Sequence, residues 1–232
     1  MDIRDAVVVV TGSSSGIGLA LSEALVEHGA FVWGLSRRKT VIAGGEGRGS
    51  FRWVEADLAR PDAIEAAFGR IRRESPPIDA LVNNAGWGEF GDMEKLSTES
   101  WQGMLAVNLS APFLAVQEVL PEMKKRGRGT IVNVASVAGR QPIRGAVAYC
   151  TTKYGLVGFS ATLREEVRAD GVRVTCVCPG AVDTPFFTST SIQPEPRMGV
   201  HGVVEVIIAA IAAPDDVLYE EVVVSPLKPL VM

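Results

Sequence analysis

The chain has 232 residues, is 47% hydrophobic and 22% charged, and carries a net charge of −4, which suits one large core and provides no field to attract nucleic acid. Three cysteines do not make a disulfide framework, and Met1-Asp2-Ile3-Arg4-Asp5 lacks the apolar stretch of a secretory leader. No apolar segment is expected to reach the roughly 20 residues of a membrane span, so the expectation is a soluble, cytoplasmic, single-domain protein.

Val7 to Leu19 reads VVVVTGSSSGIGL. Four consecutive valines predict a buried parallel strand, and the glycines after them predict a tight turn into a helix. Gly12, Gly16 and Gly18 leave the backbone room to turn and let a bulky anion approach, with the helix N–H groups and positive dipole end facing it. A diphosphate fits such a turn. The G-x-x-x-G-x-G spacing differs from the usual G-x-G-x-x-G fingerprint, so a ligand-free turn stays open on this stretch alone.

The helix that follows carries Ile17, Leu21, Ala24 and Leu25 on one face, and Gly29 supplies its stop. Phe31 to Leu35 reads as the second strand. A protein using NAD would place a carboxylate at its end, against the ribose 2′-hydroxyl. The residues present are Ser36, Arg37, Arg38 and Lys39, which suit a 2′-phosphate. NADP(H) is therefore expected ahead of NAD(H), with a solvated basic turn as the alternative. Residues 40–50 are glycine-rich without helical period, which predicts a short or absent crossover helix. Phe51 to Glu55 alternates as a strand, and Asp57 and Leu58 follow at the sheet edge, where Asp57 is placed to accept a hydrogen bond from an adenine amino group.

Pro61 to Arg73 reads as a helix and Asp79 to Val82 as a strand, after which Asn83-Asn84-Ala85-Gly86 allows close approach of a flat ligand. Ser97 to Glu122 is helical in pattern, with Ser97 and Ser100 as caps and Pro112 as a break or kink. The basic cluster Lys124 to Arg128 lies where that helix ends and cations meet its dipole. Asn108 by itself reads as a hydrogen-bonded core amide. Thr130 to Ala135 is the next strand, with Ser136 directly after it.

Tyr149 and Lys153 stand four apart on a helix running to about Ala169 and share a face. The ammonium favours ionisation of the phenol. Moving its pKa from about 10 towards neutrality takes roughly 4 kcal/mol and gives a usable general acid or base. Such pairs also occur by chance on ordinary helices. Val172 to Val177 is an apolar strand, and Cys176 within it and Cys178 directly after it read as packing in a reducing compartment, with no metal site. Glu221 to Pro226 is the last strand.

In order and spacing, Thr11-Gly12-Ser13-Ser14-Ser15-Gly16-Ile17-Gly18, Asn83-Asn84-Ala85-Gly86 and Tyr149 with Lys153 resemble the cofactor motif, the sheet-stabilising motif and the active-site pair of the short-chain dehydrogenase/reductase family. The resemblance covers nearly the whole chain. It implies an α/β fold, a Rossmann-like doubly wound parallel seven-stranded sheet in the order 3-2-1-4-5-6-7, in one domain over residues 1–232, with NADP(H) across its C-terminal edge. It implies cofactor contacts from Gly12, Ser14, Gly16, Ile17, Gly18, Ser36, Arg37, Arg38, Asp57, Leu58, Asn84, Ala85, Gly86, Tyr149, Lys153, Pro179, Gly180, Val182 and Thr184.

By the same resemblance the catalytic residues are Asn108, Ser136, Tyr149 and Lys153. Tyr149 gives a proton to a substrate carbonyl, Lys153 lowers its pKa and binds the nicotinamide ribose, Ser136 hydrogen-bonds the carbonyl oxygen, and Asn108 holds a relay water. The implied reaction interconverts a small carbonyl compound and its alcohol by hydride transfer, in a homodimer or homotetramer formed through the helices containing Asn108 and Tyr149. After Thr184 only 48 residues remain, so the substrate-covering segment of about 185–200 is short and a small or open pocket is expected. The last strand lacks a glycine-rich ending, as in bacterial reductases of short 3-hydroxy acids or small carbonyl compounds. Trp87, Val137, Arg140, Gln141, Ile143, Arg144, Phe186 and Phe187 flank the expected site, and Arg144 is a candidate for binding a substrate carboxylate. The competing reading is a non-catalytic NADP(H)-binding redox sensor on the same fold, which the intact set Asn108, Ser136, Tyr149 and Lys153 disfavours.

Overall fold

The computed structural model describes residues 1–44 and 49–228. Seven strands, β1 (Val7–Thr11), β2 (Phe31–Ser36), β3 (Ser50–Glu55), β4 (Ala80–Asn83), β5 (Gly129–Val134), β6 (Val172–Pro179) and β7 (Glu221–Val224), form one sheet in the order β3-β2-β1-β4-β5-β6-β7. Every pairing is parallel. This is the expected doubly wound order, and the chain reverses its direction of winding between β1 and β4, where the two strand ends leave a crevice.

The central strands are buried on both faces, which is why they read as unbroken β-branched runs. Alternate residues serve opposite layers. Val7, Val9, Leu81, Ile131 and Val174 pack towards α2 (Pro61–Glu74) and α4 (Ala111–Arg126), while Val8, Val10, Val82, Val132 and Val177 pack towards α1 (Gly16–Glu27) and α6 (Val200–Ala212). In α2 the buried residues are Ile64, Ala67, Phe68 and Ile71, a helical stripe. Burying each large one contributes about 1.5–3 kcal/mol. Helix α6 was not anticipated from the sequence; Val203, Val204, Ile207, Ala210 and Ile211 are its buried face.

Between β2 and β3 no helix forms among the described residues, as expected, and residues 45–48 of that expectation lie outside them. The long helix expected over 97–122 differs in three ways. It starts as α3 (Thr98–Leu105), with the Ser97 hydroxyl accepting the Ser100 N–H at 3.0 Å, and it runs on to Arg126, where Gly127 ends it at φ 64°. Ser100 does not cap it; its hydroxyl donates to Glu89 Oε2 at 2.6 Å. The break is a π turn at Ala106–Ser110, in which the Ala111 N–H bonds the Ala106 carbonyl five residues back. Pro112 follows in the first turn of α4 and has no N–H to offer the carbonyls of Val107 or Asn108. The continuous run Thr98–Arg126, 29 residues, is by length and composition apolar enough to cross a bilayer, contrary to the sequence expectation. Here Met104, Ala115, Val119 and Met123 of that run are buried in the protein.

A buried polar chain crosses the sheet beside the site. Asn83 Nδ2 donates to Asn133 Oδ1 at 2.9 Å, Asn133 Nδ2 donates to Ser160 Oγ at 2.8 Å, and Ser160 Oγ donates to the Leu156 carbonyl at 2.6 Å. It locks β4 and β5 to α5 (Val147–Val167), the helix that carries Tyr149 and Lys153.

Candidate active site

A cavity of about 1130 Å³ lies over the C-terminal ends of the strands, larger than the roughly 300–1,000 Å³ of an ordinary small-molecule pocket. At one end stands the N-terminus of α1, reached through Gly12 at φ 71° and Gly16 at φ 56°. Its N-cap residue, Ser15, makes no side-chain capping bond, and its first turn holds no acidic residue. The free N–H groups and the dipole therefore present uncompensated positive potential to the cavity. Arg38 adds to it, its Nη2 donating to Ser15 Oγ at 3.2 Å. A guanidinium beside a positive helix end makes this a place where an anion would be favoured.

Ser36 Oγ donates to the Arg38 carbonyl at 2.7 Å and accepts from Trp53 Nε1 at 3.1 Å, so it shapes the basic loop. Arg37, Asp57 and Leu58 also border the cavity, and Asp57 Oδ1 accepts the Ala59 N–H at 3.1 Å. Thr11 Oγ1 accepts the N–H groups of Asn84 (3.0 Å) and Ala85 (3.1 Å), and Asn84 Nδ2 donates to the Thr11 carbonyl at 2.9 Å. These bonds fasten the loop after β4 to the glycine turn after β1. Ser14, Ile17, Gly86, Pro179, Gly180, Val182 and Thr184 complete this wall. Gly18 is the exception among the expected cofactor residues. It does not border the cavity; a Cβ there would lie 2.3 Å from the Gly12 carbonyl oxygen and 2.4 Å from Asn84 Nδ2, so glycine serves close packing behind the turn.

At the other end are Ser136, Tyr149 and Lys153. Ser136 follows β5 and caps a short 3₁₀ turn, its Oγ accepting the Ala138 N–H at 3.1 Å, which leaves its proton free to be donated. Lys153 is buried and its Nζ donates to the Val134 carbonyl at 2.9 Å, 5.7 Å from the centre of the Tyr149 ring. Burial pushes the Tyr149 phenol up to about 12 against an opposing hydrogen bond with Ser136, and burial pushes Lys153 down to about 8. In the protein alone, burial thus outweighs the pull towards neutrality that the Tyr-Lys spacing suggests. A Cβ at Gly86 would lie 3.5 Å from Lys153 Nζ and 3.3 Å from Asn108 Oδ1, so a side chain here would crowd the Asn108 amide.

Asn108 lies in the π turn, buried, and does not border the cavity. Its Oδ1 accepts the Trp87 N–H, and its Nδ2 donates to the Trp87 carbonyl and, at 3.1 Å, to Thr152 Oγ1. The side-chain amide is thereby engaged with protein groups, while Pro112 leaves the Asn108 main-chain carbonyl without the N–H of a regular helix. Of the expected flanking residues, Trp87, Val137, Ile143, Phe186 and Phe187 border the cavity. Arg140, Gln141 and Arg144 do not: Arg140 pairs with Glu221 at 3.0 Å and Arg144 is exposed. Phe90 and Ile192 also border it and were missed. Phe90, an aromatic three residues past Trp87 in a glycine-rich loop, was the available signal.

A family model described as short chain dehydrogenase matches residues 6–195. The chain is 38% identical to a D-threitol dehydrogenase of Mycolicibacterium smegmatis over 77% of this chain and 70% of that protein. It is 32% identical to a 3-oxoacyl-acyl-carrier-protein reductase of Vibrio cholerae over 93% of each. Among solved structures, a metagenomic short-chain oxidoreductase in complex with NADP superposes with a TM-score of 0.84 at 31% identity, covering 99% of this chain and 100% of that one.

Proposed function

The chain belongs to the short-chain dehydrogenase/reductase family, and from that premise we propose that it interconverts a small carbonyl compound and its alcohol with NADP(H). One observation carries the reading: Ser136, Tyr149 and Lys153 border one end of a cavity whose other end sets Arg38 against the uncapped N-terminus of α1. The phosphate turn and Arg38 would hold the diphosphate and 2′-phosphate, Asp57 the adenine, and Lys153 the nicotinamide ribose. The bound nicotinamide supplies the hydride.

The residues supply the proton and the polarisation. The Ser136 hydroxyl, its oxygen already accepting from Ala138, donates to the substrate oxygen and stabilises charge developing there. Tyr149, protonated at neutral pH because burial raises it, gives its proton to that oxygen. Lys153, anchored on the Val134 carbonyl, keeps its remaining N–H groups for the phenol side and the ribose. Asn108 positions Trp87 and Thr152, and Thr152 Oγ1 bonds the Tyr149 carbonyl at 2.8 Å. The enzyme is proposed to be a cytoplasmic homo-oligomer assembled through α4 and α5, whose outer surface exposes Phe113 and Tyr154.

The test is loss of NADPH absorbance over a panel of aldehydes, ketones and 3-oxo acids, with cofactor affinity measured in parallel. Tyr149→Phe is expected to lower kcat about 10²–10⁴-fold while NADPH Kd moves less than about threefold. Full activity in that variant would remove Tyr149 as proton donor, and silence across the panel with NADPH still bound would favour the sensor reading. Arg38→Ala is expected to raise the NADPH KM about tenfold or more and leave that for NADH unchanged, as for loss of a charged hydrogen bond. Preference of the parent protein for NADH would overturn the NADP assignment.

A further inference from the structure

Among the described residues, the polar side-chain groups at the reacting end of the cavity are Ser136, Tyr149, Lys153 and the indole N–H of Trp87, and the proposed reaction uses Ser136 and Tyr149 on a single oxygen. The rest of the wall here is mostly apolar. Phe90, Tyr149 and Phe186 form one corner, with ring centroids 5.4 Å apart for Phe90–Tyr149, 5.5 Å for Tyr149–Phe186 and 6.3 Å for Phe90–Phe186. Trp87, Ile143 and Ile192 supply the remaining apolar walls. Trp87 is fixed twice, by the Asn108 amide on its main chain and by Gly103 under its ring, where a Cβ would lie 3.0 Å from the indole. Ser191 Oγ donates to the Phe90 carbonyl at 2.8 Å and ties the covering segment to the corner, so the walls stand ready without a ligand.

The cations near this end are all occupied or turned away. Arg197 of the covering segment lies over the Phe187 ring at 5.1 Å, within 3.4 Å of Glu195 and 3.9 Å of Asp183. Arg140 is paired with Glu221, and Arg144 is outside the walls. Among the described residues, the charged groups bordering the cavity are Arg37, Arg38, Asp57 and Lys153, and Lys153 sits behind the phenol on the Val134 carbonyl. A carboxylate entering the apolar corner would lose its water without gaining a cation, and the several extra hydroxyls of a polyol would lose more water than the few polar groups of the wall replace. A flat or alicyclic ring would instead gain by burial and by packing on the three rings.

Resting on the oxidoreductase reading, we propose that the substrate is a neutral carbonyl compound with an apolar cyclic body, aryl or alicyclic, and is neither a sugar or polyol nor a carboxylate. The test separates pocket chemistry from turnover. Calorimetric binding to protein loaded with NADP⁺ compares cyclohexanol and 1-phenylethanol with erythritol and 3-hydroxybutyrate, and the cyclic alcohols are expected to bind at least about tenfold tighter. Phe186→Ala, on the covering segment, is expected to abolish that advantage with NADP⁺ affinity unchanged, and Ile192→Lys to bring 3-hydroxybutyrate level with the cyclic alcohols. Equal or tighter binding of erythritol or 3-hydroxybutyrate by the parent protein, or no binding of either cyclic alcohol, overturns the inference. Tight binding of cyclic alcohols with no oxidation of NADPH by cyclohexanone or acetophenone overturns the proposed function and leaves the assigned pocket chemistry standing.

Discussion

Asn108 and Trp87 clasp each other although they are 21 residues apart: Asn108 Oδ1 accepts the Trp87 N–H at 3.0 Å and Asn108 Nδ2 donates to the Trp87 carbonyl at 2.8 Å. The amide thus answers both main-chain groups of a residue in the cavity wall. Asn108→Ala strands them, which is expected to cost about 2–4 kcal/mol of stability in urea unfolding. Because Trp87 then moves, the KM for the carbonyl substrate is expected to rise several-fold more than the KM for NADPH. Equal changes in both would show that the amide acts only on stability.

Lys153 and Tyr149 give the cofactor-free protein a specific pH profile. The folded value of Lys153, about 8, lies below its ordinary 10.5, so below pH 8 the unfolded chain binds a proton more readily and stability carries a penalty that disappears as pH rises to 10.5. Tyr149 works in the opposite sense: its folded value of about 12 exceeds its ordinary 10.0, so its contribution is present below pH 10 and lost through pH 12. The penalty from Lys153 is about 3 kcal/mol at most. Urea unfolding at a series of pH values should show stability climbing from pH 8 to 10 in the parent protein, and a flatter course in Lys153→Met.

Asn133 joins Asn83 to Ser160, whose hydroxyl also donates to the Leu156 carbonyl. Asn133→Leu removes the acceptor of Asn83 Nδ2 and the donor to Ser160 Oγ, all three residues being buried. A loss of about 2–3 kcal/mol is expected, read as a lower urea midpoint with an unchanged slope. NADPH affinity should fall with it, because Asn83 is the last residue of β4, directly before the loop bonded to Thr11.

Gly18→Ala forces a methyl group against main chain. Its Cβ would stand 2.3 Å from the Gly12 carbonyl oxygen, which no rotamer can relieve. The phosphate turn must shift, so NADPH binding should weaken at least about tenfold along with about 1–3 kcal/mol of stability. Unchanged binding in this variant would mean that the turn is not where the diphosphate rests.

The features written in short-range spacing were legible before folding. The valine run of β1, the glycines after it, and Tyr149 with Lys153 each lie within one turn or one strand, so local geometry decides what they can do. Helix α6 escaped because VHGVVEVIIAAIA is apolar on nearly every side and has too little polar contrast to show its period. The π turn escaped because one added residue shifts the helical phase without any residue type that announces it. Phe90, Ile192 and the Asn108–Trp87 clasp belong to long-range folding, which brings residues 87, 90, 149, 186 and 192 to one corner. Arg144 illustrates the reverse case: its charge stood out in the sequence, yet the loop carries it away from the walls.

The wide turn at Ala106–Ser110 also bears on which lengths of chain this protein tolerates. Each residue of a regular helix advances the face by about 100°. Removing one residue between Ala106 and Ser110 would restore regular winding and rotate either Met104 or the Val116, Val119 and Met123 stripe out of register with the sheet. Substitutions here cost single contacts, whereas a one-codon deletion would misalign half of a 29-residue rod. Natural variants of this protein should therefore vary in letters along this stretch and hardly ever in length.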